Sequence, residues 1–240
     1  MIRLNGLTKR YGSFTAVNGI DLTVEAGELF GFLGPNGAGK TTTLRMIAGI
    51  LKPTAGIISV GGKGTSTNPM AAKAMLGYIP DRPFVYDKLT GAEFLRFVAS
   101  LYGQEGEVVE RRIDELLELF ELTPWRDELT ESYSHGMRQK VIIASALVHR
   151  PEVIVVDEPM VGLDPLAIKI VKDLFKHLAN EGVTIFMSTH TLKVAEDICD
   201  KIGVIHKGTL IATGSYEEMR RDVQYEGADL EQIFIRLTET

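Results

Sequence analysis

The clearest chemistry in the sequence lies in residues 34–41, Gly34-Pro35-Asn36-Gly37-Ala38-Gly39-Lys40-Thr41, with Thr42 next in line. The pattern is a glycine, four residues, then glycine, lysine and a hydroxyl, the spacing of a phosphate-binding loop. Glycines at 34, 37 and 39 let backbone amides turn toward phosphate oxygens without obstruction from Cβ atoms. Lys40 brings a point cation to the β- and γ-phosphates of a nucleotide, and the Thr41 hydroxyl is an oxygen ligand for Mg²⁺. A helix starting here points its positive end at the same phosphates. Many nucleotide-binding proteins share this loop, so by itself it leaves the reaction open.

A second set of groups comes from Val153-Ile154-Val155-Val156-Asp157-Glu158-Pro159. An apolar strand ending in Asp157 delivers a carboxylate to the edge of a sheet, where Mg²⁺ can sit. Glu158 follows and can hold or deprotonate an attacking water. Read locally, paired acids after an apolar strand are also a strand end with a turn or helix cap. The phosphate loop elsewhere in the chain favours the chemical reading.

Both sets require strands that end at one edge of a sheet. Leu29–Leu33 reads as a buried strand before the loop, and Leu44, Ile47, Ala48 and Leu51 mark one face of a helix after it, stopped at Lys52-Pro53-Thr54. Ile20, Leu22 and Val24 alternate with polar neighbours, and residues 57–60 resume as a strand. From about residue 84 to 150 the pattern is largely helical, with Val109, Ile113, Leu116, Leu117 and Phe120 on one face. Residues 153–157, 183–188 and 202–206 are apolar β-branched runs, with Leu166, Ile170, Leu174 and Leu178 at helical spacing between the first two. The tail repeats helical spacing at Leu230, Ile233, Phe234 and Leu237. Strands alternating with helices predict an α/β fold built on a mostly parallel sheet covered on both faces.

Composition narrows the setting. With 240 residues, 45% hydrophobic and 24% charged, the chain is long enough for one well-buried domain and is not disordered. The 26 basic and 32 acidic residues leave a net charge of −6, so no overall cationic field points to nucleic acid or anionic lipid. Cys199 alone makes neither an intramolecular disulfide nor a cysteine zinc cluster, which fits a reducing compartment. The opening residues 1–12 lack the apolar core of a secretory signal, and no apolar run approaches the about 20 residues of a membrane span.

The phosphate loop, Asp157-Glu158-Pro159 and Ser134-His135-Gly136 together resemble the ATP-binding-cassette (ABC) family of ATPases, over nearly the whole chain. The resemblance implies a P-loop NTPase core with an N-terminal antiparallel β subdomain and an inserted helical subdomain. Residues 1–240 would form a single domain, with the core at 1–83 and 146–215, the helical insertion at about 84–145 and a helical tail at about 216–240. It implies ATP and Mg²⁺ as ligands, and a head-to-tail dimer, homo- or heteromeric, that sandwiches two ATP molecules.

The resemblance also distributes roles. Tyr11 matches the aromatic that stacks on adenine, and read alone is a residue packing the edge of a sheet. Tyr133-Ser134-His135-Gly136-Met137 is a variant of the signature through which one protomer contacts the γ-phosphate held by the other; Ser134 and Gly136 keep the hydroxyl and the small residue, with ATP. Ser134 is also a plain helix cap. Asp164 matches the aspartate linking the two ATP sites, and it precedes Pro165 as a helix cap would. His190 matches the switch histidine beside Glu158, and the resemblance implies that Glu158 serves as the catalytic base. Asp81, in Gly77–Pro83, stands where the family has a glutamine that binds Mg²⁺ and senses a permease. A carboxylate there binds the metal more strongly and adds negative charge beside Asp157 and Glu158; read alone, Asp81 is a turn residue after Pro80.

In function, the resemblance implies an ATPase subunit on the cytoplasmic face of a membrane, held there by separate transmembrane permease subunits that it drives. The tail, residues 225–239, resembles that of exporter-type cassettes. The competing reading is a soluble cassette acting on ribosomes or an assembly scaffold; an acidic chain with one phosphate loop gives no reason to expect nucleic acid. A binding module that holds ATP without cleaving it is disfavoured by an intact Glu158 and His190. For the permease, the aromatic and apolar residues between 84 and 103, among them Phe84 and Tyr86, exceed what one helix face buries, so one of these two is expected to stay partly exposed as a docking surface.

Overall fold

The structure is a computed structural model and describes residues 1–82, 84–222 and 230–238. Pro83 and part of the tail stretch read above, 225–229 and 239, lie outside the described residues.

The chain opens with a hairpin of β1 (Ile2–Tyr11) and β2 (Phe14–Val24), paired from Ile2 opposite Val24 to Tyr11 opposite Phe14. β3 (Leu29–Leu33) is buried at all five residues and leads through the phosphate loop into α1 (Lys40–Ile47). β4 (Ala55–Val60) and β5 (Lys63–Gly64) complete an antiparallel sheet in the order β2-β1-β4-β5. Next come α2 (Pro69–Ala74) and the short β6 (Leu76–Ile79). The helical insertion holds α3 (Gly91–Leu101), α4 (Glu107–Leu119) and α5 (His135–Leu147). The chain then alternates through β7 (Val153–Asp157), α6 (Pro165–Asn180), β8 (Thr184–Thr189), α7 (Leu192–Ile198), β9 (Lys201–His206) and β10 (Thr209–Gly214). It ends in α8 (Tyr216–Asp222) and α9 (Leu230–Thr238).

The second sheet runs β10-β9-β3-β8-β7-β6, parallel throughout except for the β9–β10 hairpin. Its central strands are continuous apolar runs because both faces are covered. Val153 and Val155 of β7 face the antiparallel sheet and α1, in a core with Phe30, Phe32, Leu44 and Phe186. Ile154 and Val156 face the other way, among the helices, with Phe94, Ile113, Ile143 and Phe175. Each such side chain contributes about 1.5–3 kcal/mol by leaving water. The Phe30 and Phe32 rings stand 5.5 and 5.2 Å from that of Phe186 and fill the layer beneath the phosphate loop.

The strand ends fall within one or two residues of the sequence reading, and the end of α1 departs further. α1 ends at Ile47, not at Lys52, although Leu51 still packs on the core. Gly49 takes a left-handed φ of 66°, the Gly49 amide donates to Met46, and the Ile50 amide donates to Arg45. That is a Schellman stop, for which glycine suffices without proline. Two short elements, α2 and β6, carry too few residues to show a period and escaped the reading. α3 starts with a reciprocal capping box between Thr90 and Glu93.

Candidate nucleotide site

The phosphate loop turns at the carboxyl end of β3 and closes on α1 at Lys40. Gly39 sits at a φ of 112°, and a Cβ there would lie 2.5 Å from the Ala16 carbonyl oxygen. At Gly34 the demand is one of space instead, since a Cβ would lie 2.5 Å from the Ile205 carbonyl oxygen of β9. Lys40 is buried, and its ammonium folds back to donate to the carbonyls of Gly34 at 2.6 Å and Pro35 at 3.3 Å. Burial lowers its pKa, while the carboxylates of Glu158 and Asp157 raise it. The result is a cation held in place by loop dipoles and aimed where a phosphate would come.

Asp157 ends β7 fully buried. Ser188 of β8, its register partner, donates its hydroxyl to Asp157 Oδ1, while Oδ2 is buried without a hydrogen-bond partner. Burial pushes the carboxyl above the usual carboxylate range; the Ser188 and Thr41 hydroxyls act the other way, and Asp81 and Glu158 add to the rise. An orphaned buried carboxylate oxygen beside a threonine hydroxyl and a second carboxylate is an acceptor set that a hard divalent cation fits. Among the described residues no three acidic, histidine or cysteine groups form a metal cluster by themselves. Such a site suits Mg²⁺, which keeps waters and phosphate oxygens among its ligands.

Directly after Asp157 the backbone kinks. Glu158 adopts a φ of 51°, an uncommon state for a residue with a side chain, and its amide donates to the Ser188 carbonyl at 3.1 Å. The kink turns the Glu158 carboxylate to His190, just beyond β8. His190 Nδ1 lies 2.9 Å from Glu158 Oε2, and the His190 amide donates to the same oxygen at 3.2 Å.

Lys40, Thr41, Asp157 and Glu158 share one cleft of about 390 Å³, while Ser188 and His190 contact its carboxylates from outside the lining. Its phosphate end is lined by Pro35, Asn36, Gly37, Gly39, Lys40, Thr41 and Thr42, with Asp81, Asp157 and Glu158 facing them. At the other end stand Tyr11, Phe14 and Ala16. The Lys9 ammonium lies 5.2 Å above the Tyr11 ring, anchored at 2.8 Å by the Lys52 carbonyl, so one ring face is taken and a planar base has the other. Gly34 and Ala38 shape the loop from behind and do not line the cleft. Sequence reasoning missed Phe14 and Ser188. Phe14 is 62% exposed three residues after Tyr11, and an aromatic directly beyond the Gly12-Ser13 turn was the available signal.

Three more of the expected site residues, Ser134, Gly136 and Asp164, stand apart from this cleft. Ser134 is exposed and caps α5, accepting the Met137 amide at 3.3 Å. Gly136 follows in the first turn of α5, and the His135 ring packs on Gly162 of the loop before α6. Asp164 caps α6 by accepting the Ala167 amide at 2.9 Å, a bond that holds its carboxyl below the ordinary value. The Ser134 and Asp164 side chains satisfy local backbone, and none of the three residues lines the cleft of its own chain.

Residues 17–161 match the family model described as ABC transporter. The chain belongs to the ABC transporter family. It is an ATP-binding cassette subunit, an α/β P-loop ATPase with an N-terminal β-sheet subdomain and an inserted helical subdomain. The cassette is 37% identical to the ABC transporter ATP-binding protein NatA of Bacillus subtilis (strain 168), an alignment covering 98% of this chain and 97% of that protein. It is 39% identical to the bacitracin transport ATP-binding protein BcrA of Bacillus licheniformis, over 92% of this chain and 72% of the relative. Among solved structures it matches an ATP-binding subunit of an ABC transporter with a TM-score of 0.94 at 34% identity, covering 99% of each chain. The cassette therefore binds and hydrolyses ATP in the service of a transport system.

Proposed function

We propose that the cassette powers an exporter, working as one half of an ATP sandwich and driving a separate membrane permease. The observation that carries the dimer is the position of Ser134 and Gly136. Ser134, exposed, and Gly136, half-buried, open α5 outside the cleft that holds the chain's own phosphate loop. A contact from them to a γ-phosphate must be made to the nucleotide of another protomer. A solved bacterial ABC transporter cassette, 25% identical with a TM-score of 0.80 over 90% of this chain, is dimeric. Relatives named for bacitracin transport and for linearmycin resistance favour export.

In this reading the nucleobase stacks on the open face of Tyr11, and the triphosphate lies along the loop amides of 34–41. Lys40 exchanges its carbonyl partners for the β- and γ-phosphates. Thr41, Asp157 and Asp81 would hold Mg²⁺, which would supply charge neutralisation of the phosphates. Glu158 accepts a proton from the attacking water, and His190 holds Glu158 and the γ-phosphate in line. Ser134 and Gly136 of the second protomer close over the γ-phosphate and exclude bulk water, and Asp164 lies between the two sites. Hydrolysis breaks the bond between the β- and γ-phosphates, and departure of the inorganic phosphate then removes the group that holds the halves together.

Among the described residues no helix is long and apolar enough to cross a membrane. The cassette then sits on the inner face of the membrane through its permease, by way of the exposed aromatic group around Tyr86. The test of the sandwich is Glu158→Gln with ATP and Mg²⁺ in size-exclusion chromatography. The variant, deprived of its base, accumulates at twice the monomer mass; a persistent monomer with wild-type turnover refutes both the dimer and the base.

A further inference from the structure

One buried titratable group has no part in the chemistry above. His149 lies just past α5, and its ring rests flat on that of Tyr102, with centroids 3.6 Å apart and planes 10° from parallel. His149 Nε2 stands 3.2 Å from the Leu76 carbonyl oxygen, and the Tyr102 hydroxyl donates more weakly to the same oxygen at 3.4 Å. The Gln104 side-chain amide donates to the His149 carbonyl at 3.3 Å. Nδ1 is buried without a hydrogen-bond partner. A neutral ring with its proton on Nε2 accounts for both nitrogens, one donating to Leu76 and one left as an idle acceptor. Packing alone does not call for this, because phenylalanine would fill the space without stranding a nitrogen.

Three elements meet at the stack. Tyr102 caps the carboxyl end of α3, His149 follows α5, and Leu76 opens β6. β6 has four residues, and its far end runs through Pro80 into Asp81 at the nucleotide cleft. Its near end is pinned on the core side as well. The Glu152 and Val153 amides both donate to the Met75 carbonyl, and Gly77 lies so close to the Ala146 carbonyl that a Cβ has no room. The stack thus fastens the helical insertion to the strand that aims Asp81.

We propose that Tyr102 and His149 are positioning residues for the ATPase reaction: their stack, closed on the Leu76 carbonyl, fixes β6 against the helical insertion and so sets where the Asp81 carboxylate stands in the cleft. The proposal rests on Asp81 taking part in the site.

A double-mutant cycle on the full chain tests it, with the half-saturating Mg²⁺ concentration as readout, taken both from ATPase activity and from calorimetric titration of Mg²⁺ into the nucleotide complex without turnover. Tyr102→Leu removes the stacked ring and raises that concentration about 3- to 10-fold, while kcat at saturating Mg²⁺ stays within about twofold. Tyr102→Phe keeps the ring and restores the wild-type value. In an Asp81→Asn background the Tyr102→Leu effect disappears, because the carboxylate being positioned is gone. A Tyr102→Leu effect that persists in full beside Asp81→Asn, or no effect at all, overturns the proposal and leaves Asp81 in its role. An Asp81→Asn variant with an unchanged Mg²⁺ requirement overturns the reading of Asp81 and the proposal with it. If Tyr102→Leu does not fold, His149→Gln replaces it; that variant keeps an N–H for the Leu76 carbonyl, loses the ring, and is held to the same pattern.

Discussion

His190 and Glu158 are joined twice through a single carboxylate oxygen, Glu158 Oε2, by the His190 ring at 2.9 Å and the His190 amide at 3.2 Å. The pairing of Asp157 with Ser188 across β7 and β8 puts the two residues next to each other, since each lies within two positions of that pair. The backbone kink at Glu158 does the rest. A carboxylate held from two directions keeps its lone pairs aimed, so in the proposed mechanism it accepts a proton without reorganisation.

His190→Ala removes one of those holds and leaves the phosphate loop untouched. The expected result is a loss in kcat on the order of 10²-fold with little change in KM, read by steady-state ATPase assays. A variant with wild-type kcat would remove His190 from the mechanism.

Asp157 links the site to stability. Burial raises its pKa, so the native state binds this proton more tightly than the unfolded chain does. Its contribution is therefore favourable at low pH and falls as pH rises from about 3.9, the ordinary aspartate value, through the raised native value. At neutral pH the ionised, buried carboxylate costs stability. Asp157→Asn keeps an oxygen for the Ser188 hydroxyl and sheds the charge, so the nucleotide-free variant melts higher than the wild type while losing ATPase activity. Thermal scans from acid to neutral pH check the sign: the gap in Tm widens as pH rises, then levels. A gap that widens toward acid pH is the opposite result.

Asp81 adds a carboxylate to a cleft that already holds Asp157 and Glu158. Like charges raise the free energy of the metal-free site, and Mg²⁺ relieves it. Asp81→Gln, which restores the family's amide, should raise the half-saturating Mg²⁺ concentration several-fold. Identical titrations for the two forms would leave Asp81 as a turn residue after Pro80.

Around Tyr86 the aromatic side chains are exposed to a degree that packing does not require. Phe84 is 70% and Tyr86 48% exposed, and the Tyr86 ring meets Phe84 and Phe97 edge-on at 5.6 and 5.4 Å. Neighbouring Phe94 and Leu95 are buried, so the group is split between core and surface. If a permease helix docks here, Tyr86→Glu places a charge where binding must remove water, and co-purification with the membrane subunit is lost. ATP binding by the isolated variant stays at the wild-type level. Normal assembly of the variant would put the docking surface elsewhere.

The phosphate loop, the Asp157-Glu158 pair and the strands at 29–33 and 153–157 were legible in the sequence for a local reason. A strand covered on both faces must be apolar at every position, and a loop that wraps phosphate must have small residues at fixed offsets. Both demands fall on neighbours in the chain, so both leave a mark in the order of residues. The resemblance of scattered motifs then linked Tyr11, Asp81 and His190 to the same site.

What only the tertiary structure decided is which distant groups touch. The sheet order puts β3 between β8 and β9, so the Ile205 carbonyl comes to press on Gly34. The register of β7 against β8 makes Ser188 the partner of Asp157, and the hairpin register brings Phe14 beside Tyr11 at the cleft. β6 has no readable period of its own in four residues, yet it carries Asp81 to the site because Leu76–Ile79 pair with Val153–Val156. Periodicity reports which side of an element is buried, whereas the identity of the group it meets depends on sheet order and register, which come from the packing of the whole chain.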